Sequence, residues 1–112
     1  MSIAALLLTA VLAQATAVTG PAESVTTGSA VVTGTVDAGA TYHFEYGTTT
    51  DYGLRTPDAV AGGDGAARQT LTNLTPNTTY HYRVRSGDAV GADRTFRTAA
   101  PPRAPSVSSR AA

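Results

Sequence analysis

Large apolar residues fall at every second position along several short stretches of this chain. The clearest runs from Tyr80 to Arg85, where Tyr80, Tyr82 and Val84 alternate with His81, Arg83 and Arg85. A period of two marks a strand with one buried and one wet face. The stretch Thr41 to Gly47 repeats the pattern, setting Tyr42, Phe44 and Tyr46 against Thr41, His43 and Glu45. In Ser29 to Val36, the set Ala30, Val32, Gly34 and Val36 is placed inward, with Gly34 leaving space for a bulky ring opposite. Asp93 to Thr98 forms the last strand, with Phe96 inward and Thr95 and Arg97 outward. No stretch of helical periodicity is long enough to matter.

Gly, Pro, Asp and Asn punctuate these runs, as in an all-β sandwich. Val18-Thr19-Gly20-Pro21 and Glu23 to Thr26 read as a broken first strand, with Pro21 tolerated at an edge that need not donate its hydrogen bond. Leu54-Arg55-Thr56 reads as a short edge strand ended by Pro57, Asp58 to Gly65 as a flexible loop, Ala67 to Leu71 as a strand, and Ser86 to Ala92 as a hairpin loop. Tyr42, Phe44, Tyr46, Tyr82, Val84 and Phe96 are the expected core. Just ahead of the clearest strand, Leu74, Pro76, Thr78 and Tyr80 give an L-x-P-x-T-x-Y spacing. A proline-set turn there presents a tyrosine whose ring packs inward while its hydroxyl bonds nearby backbone, the logic of the tyrosine corner of immunoglobulin-like sandwiches.

That corner, together with the run from Thr41-Tyr42-His43-Phe44-Glu45-Tyr46-Gly47 through Thr48-Thr49-Thr50-Asp51-Tyr52-Gly53, resembles a fibronectin type III domain. The run from Thr41 to Gly53 looks like the strand and turn of a Thr/Gly/Ala-rich bacterial branch of that family, often found in exported, multi-module proteins. The resemblance covers about Val18 to Thr98 and implies a seven-stranded immunoglobulin-like Greek-key sandwich in which the third and sixth strands are antiparallel neighbours. Tyr82 stands where an immunoglobulin domain places its second cysteine, two residues past the corner tyrosine. The second strand lacks the tryptophan of many animal members. No Arg-Gly-Asp tripeptide occurs, the nearest string being Arg85-Ser86-Gly87-Asp88, so integrin-type adhesion has no support.

Composition narrows the picture. The 112 residues suffice for one domain with a modest core. The absence of cysteine removes disulfides, thiol catalysis and cysteine metal sites together. Eight basic residues, all Arg, balance eight acidic ones, which leaves no global field to recruit nucleic acid. A monomer is expected. The apolar run Ile3 to Ala13, followed by Ala13-Gln14-Ala15 and Ala15-Thr16-Ala17, reads as a signal peptide within residues 1–17, cut after Ala15 or Ala17. The run is too short to span a bilayer, which takes about 20 apolar residues, so no stable membrane insertion is expected once it is removed. Residues 18–98 form the domain, and the tail 99–112, with Pro101, Pro102 and Pro105, reads as linker or disordered end. The expected location is secreted or in the cell envelope.

Candidate chemistry gathers on one outer face. If the third and sixth strands pair, His43, Glu45, His81, Arg83 and Arg85 project from the same side, joined by Arg97. Two imidazoles and a carboxylate would suffice in number for zinc, but a flat sheet face rarely converges three ligands, and no metal or other cofactor is expected. The favoured reading is cross-strand pairing of Glu45 with Arg83 or Arg85 while the imidazoles sit in water. The arginines could instead meet anionic cell-wall polymer or sugar, with Tyr52 as the one candidate stacking ring, which makes Arg83, Arg85, Arg97 and Tyr52 the candidate ligand face. Asn73-Leu74-Thr75 and Asn77-Thr78-Thr79 match a glycosylation pattern that matters only in a glycosylating pathway. Gly62-Gly63-Asp64-Gly65 opens no helix and is read as linker rather than phosphate loop. No nucleophile turn or carboxylate pair is legible, so no catalytic residue is assigned, and so small a sandwich has little interior for a pocket of about 300 Å³. The reading is a non-catalytic exported module, a spacer or protein-interaction domain; the alternative is a module for cell-wall or extracellular polysaccharide, ancillary to a glycoside hydrolase.

Overall fold

A computed structural model describes residues 15–102, and among these there are strands and turns but no helix. The strands in order are β1 (Ala17–Glu23), β2 (Ala30–Val36), β3 (Thr41–Gly47), β4 (Leu54–Arg55), β5 (Ala59–Val60), β6 (Ala66–Leu71), β7 (Thr79–Ser86), β8 (Ala89–Val90) and β9 (Arg94–Arg97). Seven coincide with the expected strands, and β5 and β8 are two-residue additions. One antiparallel sheet has the order β1-β2-β6. The other is centred on β3 and β7, with β4 and β5 along the outer side of β3, and β8 and β9 pairing β7. Residues 1–14 of the expected signal peptide 1–17, and residues 103–112 of the expected tail 99–112, lie outside the described residues.

The period-two pattern sets the core. Ala30, Val32 and Val36 from β2 and Leu71 from β6 face Tyr42 and Phe44 from β3 and Tyr80, Tyr82 and Val84 from β7, all of them buried. Burying a large apolar side chain of this kind stabilises the fold by about 1.5–3 kcal/mol. The rings meet at angles that suit their quadrupoles: Tyr42 meets Phe44 edge-on at 5.9 Å, while Tyr80 stacks on Phe96 at 5.6 Å. Tyr46, expected in the core, is only half-buried and packs against its margin. The space over Gly34 is filled not by a ring but by Val84 and the Val18 carbonyl, which a Cβ there would meet at 3.2 and 2.8 Å.

Three other expectations need correcting. The first strand is not split in two: β1 runs unbroken past Pro21 by slipping register between Thr19 and Ala22, and Glu23 is its last residue. Ser24, with φ of 50°, then turns the chain. The Asp58 to Gly65 stretch is not a free loop. After Pro57, β5 resumes pairing with β3, and the buried Thr56 spans the gap, its amide donating to the Phe44 carbonyl and its Oγ1 accepting from the Phe44 amide, both at 2.9 Å. The Ser86 to Ala92 hairpin also tightens, since Ala89 and Val90 pair with Ser86 and Arg85.

Around Leu74 to Tyr80 the chain bonds back on itself. The Thr75 amide donates to the Tyr80 hydroxyl at 2.9 Å, and the Thr78 hydroxyl donates to the Pro76 carbonyl at 2.8 Å. Leu74 is buried, and its amide donates to the Gly28 carbonyl, tying the corner to the β1–β2 turn. The chain leaves the domain at this same pole, where the Ala99 amide donates to Thr26 and the Ala99 carbonyl accepts from Asn77. It enters at the other pole, where Ala17 pairs with Val36. The length of β2 separates entry from exit, about 20 Å at 3.3 Å per residue.

Candidate interaction site on the outer sheet face

The β3–β7 register places the ionisable side chains directly opposite one another: His43 against Arg85, Glu45 against Arg83, and Gly47 against His81. Glu45, with its side chain 20% exposed, takes both arginines. Its Oε1 accepts from Arg83 Nε at 2.7 Å and its Oε2 from Arg85 Nη1 at 3.3 Å. Burial pushes the Glu45 carboxyl up, but the hydrogen bonds and charges of Arg83 and Arg85 outweigh it and hold the group below its ordinary value. His43 lies 3.5 Å from Asp58 and 4.0 Å from Glu45, and Asp58 in turn accepts from Arg55 at 2.7 Å. Burial, reinforced by Arg55, lowers the His43 pKa against the pull of both carboxylates.

The β3–β4 turn adds an aromatic group. Tyr52 and Gly53 both adopt positive φ, at 62° and 89°, and the Tyr52 carbonyl lies over Gly47 where a side chain would stand. The turn therefore folds back and lays the Tyr52 ring on the outer face, with the Arg83 guanidinium 4.4 Å from its centroid. The Tyr52 hydroxyl donates to Asp93 at 2.9 Å, and Asp93 also pairs with His81 at 2.9 Å. Burial pushes the Asp93 carboxyl up, while its hydrogen bonds from His81 and Tyr52 prevail and draw it down. Tyr52, by contrast, is pushed up by burial and by Asp93.

Each of these groups thus has a partner of opposite character. The imidazoles do not sit in water but face carboxylates: His43 lies between Asp58 and Glu45, whereas His81 points to Asp93, so the two imidazoles do not converge on Glu45. Among the described residues no three His, Cys, Asp or Glu side chains are grouped to hold a metal ion. Between the turn and the sheet lies an open groove of about 450 Å³, bordered by Glu45, Tyr52, Leu54, Arg55 and Arg83. It lies outside the sandwich, where a search for interior space would not find it. Of the candidate ligand face, Tyr52 and Arg83 are brought together and Arg85 is next to them through Glu45. Arg97 stands apart near the exit pole, its guanidinium donating to Asn77 Oδ1 at 2.9 Å and Thr79 Oγ1 at 3.1 Å. Asp93 and Asp58 are not legible in the sequence, since nothing in their local pattern signals a histidine on another strand, and Arg55 joins the site through Asp58, three residues on.

No family model matches the chain, and no curated protein does. Solved structures do. The sensor domain of the anti-sigma factor RsgI4 of Pseudobacteroides cellulosolvens aligns in a short form with a TM-score of 0.66 at 21% identity, covering 81% of this chain and 100% of that one. A fibronectin type III domain from the human KIAA0970 protein aligns with a TM-score of 0.57 at 17% identity, over 86% of this chain and 85% of that one. The fold is fibronectin type III-like. The same fibronectin type III-like sandwich aligns with PhoD at a TM-score of 0.65 and 14% identity, covering 79% of this chain but 19% of PhoD.

Proposed function

We propose that this fibronectin type III-like sandwich is an exported, non-catalytic module that acts as a spacer or protein-interaction domain. The observation that carries the reading is the path of the chain, which enters at one pole, where Ala17 pairs with Val36, and leaves at the other, where Ala99 is pinned between Thr26 and Asn77. Such a path suits a unit placed in line between neighbours. The state of the outer face supports a non-catalytic role. Glu45 and Asp93 are held ionised by their partners, so neither carboxyl is poised to take or give a proton near neutral pH. The fold it shares with a domain named as a sensor, in the anti-sigma factor RsgI4, is in keeping with a module that works by contact.

A second reading, binding of cell-wall or extracellular polysaccharide, is favoured by the groove beside Tyr52 and Arg83. Co-sedimentation of the exported chain with insoluble cell wall, chitin and cellulose separates the two, run beside a triple Arg83, Arg85 and Arg97→Ala variant and a Tyr52→Ala variant. Thermal melts check that each variant is folded. The spacer reading expects no sedimentation of any form. Binding that the folded variants lose would replace it with the polysaccharide reading.

A further inference from the structure

Two peptide bonds near the N-terminus satisfy the small-residue rule for signal peptidase, Ala15–Thr16 and Ala17–Val18. The fold treats their products differently. Ala17 is a strand residue: it pairs with Val36 as the first rung of the β1–β2 ladder, and its half-buried methyl packs against the core. A chain starting at Val18 lacks that rung and that contact. Thr16 lies just outside the strand, and its backbone nitrogen is 3.4 Å from Asp37 Oδ2, at the start of the β2–β3 turn. In the uncut chain this is a long hydrogen bond from an uncharged amide.

We propose that the mature protein begins at Thr16 and that its new α-ammonium forms an ion pair with Asp37, which closes the entry pole. The cut is a hydrolysis by a signal peptidase. The Ala15–Thr16 C–N bond breaks, the hydroxyl of water goes to the Ala15 carbonyl carbon, and a hydrogen goes to the Thr16 nitrogen, which takes up a further proton as ammonium. The peptidase acts on the unfolded chain, so the fold does not choose the bond; it is built around the product of one of the two. A nitrogen that gains a full charge 3.4 Å from a carboxylate exchanges a weak contact for a charge-assisted one. The same cut leaves the complete strand Ala17–Glu23 in the domain.

The inference rests on the exported reading, and one experiment tells the two apart. The full chain, leader included, is expressed in a bacterium with an active secretion pathway, and the exported product is weighed intact and sequenced from its N-terminus. A product starting at Thr16 is expected. Export with a start at Val18 or elsewhere overturns the inference and leaves the exported reading intact, whereas retention of an uncut chain in the cell overturns both. On the exported product, Asp37→Asn is expected to lower the melting temperature by about 1–4 °C at low salt, as for an exposed ion pair in a domain of this size. The same substitution in the uncut chain should have a smaller effect, because the amide there carries no charge. Equal effects in both would overturn the ion pair.

Discussion

Tyr80 and Tyr82 lie two residues apart on β7, both buried, and use their hydroxyls in opposite senses. Tyr80 accepts from the Thr75 amide and so fixes the corner, whereas Tyr82 donates to the Gly20 carbonyl at 2.6 Å and so holds the irregular part of β1 against the second sheet. Tyr80→Phe removes a hydrogen bond without changing the packing and is expected to lower stability by about 1 kcal/mol. An unchanged urea midpoint would refute the corner's role. Glycines divide just as sharply. A methyl at Gly47 would collide with the Tyr52 carbonyl, so Gly47→Ala must open the turn and is expected to destabilise by more than about 2 kcal/mol. At Gly63 nothing lies within 4 Å of the added methyl, and Gly63→Ala should stay within about 0.5 kcal/mol of the parent. Chemical denaturation of the two variants side by side checks the contrast.

The β3–β7 ladder makes a prediction about acid. Glu45 has a folded pKa below its ordinary value, so its contribution is complete above that value and is lost as the pH falls through the depressed one. His43, also lowered on folding, is protonated first in the unfolded chain, so stability already declines as the pH drops below 6.5 towards the folded value. Both act in the same direction. Glu45→Gln is expected to cost about 1 kcal/mol at pH 7 and progressively less towards pH 3, as the two melting curves approach each other. A gap that is constant with pH would mean that Glu45 is not paired. How much of this ladder could be read in advance depended on what the period of two determines. Given the pairing of β3 with β7, which the resemblance to fibronectin type III domains implies, this period fixes that His43, Glu45, Arg83 and Arg85 share a face. It says nothing of where a turn lands. Thr48 to Gly53 reads only as turn-forming residues, and the return of Tyr52 onto Arg83 depends on Gly47 being bare and on two successive positive φ angles. Asp58 and Asp93 escaped notice for a related reason: each reaches a histidine through an edge strand or loop whose register is set by Pro57 or by the β8 hairpin, not by its own neighbours.

For the molecule as a whole, protection should follow sheet position. Strands β2, β3 and β7 have neighbours on both sides, while β4, β5 and β8 are two residues long and lie on or near edges. Amide hydrogen exchange is therefore expected to be slowest in β2, β3 and β7 and fastest in the short strands, and uniform protection across both groups would contradict the arrangement. The poles at which the chain enters and leaves have a further, mechanical implication. Tension applied through the two ends draws β1 lengthwise along β2, so the ladder bonds between them lie across the pull and resist together instead of parting one by one. The register slip at Thr19 and Ala22 divides that ladder into an upper run of three pairs and a lower run of two. Under a steady pull the domain would then yield in steps, with the Tyr82 bond to Gly20 as the latch between them.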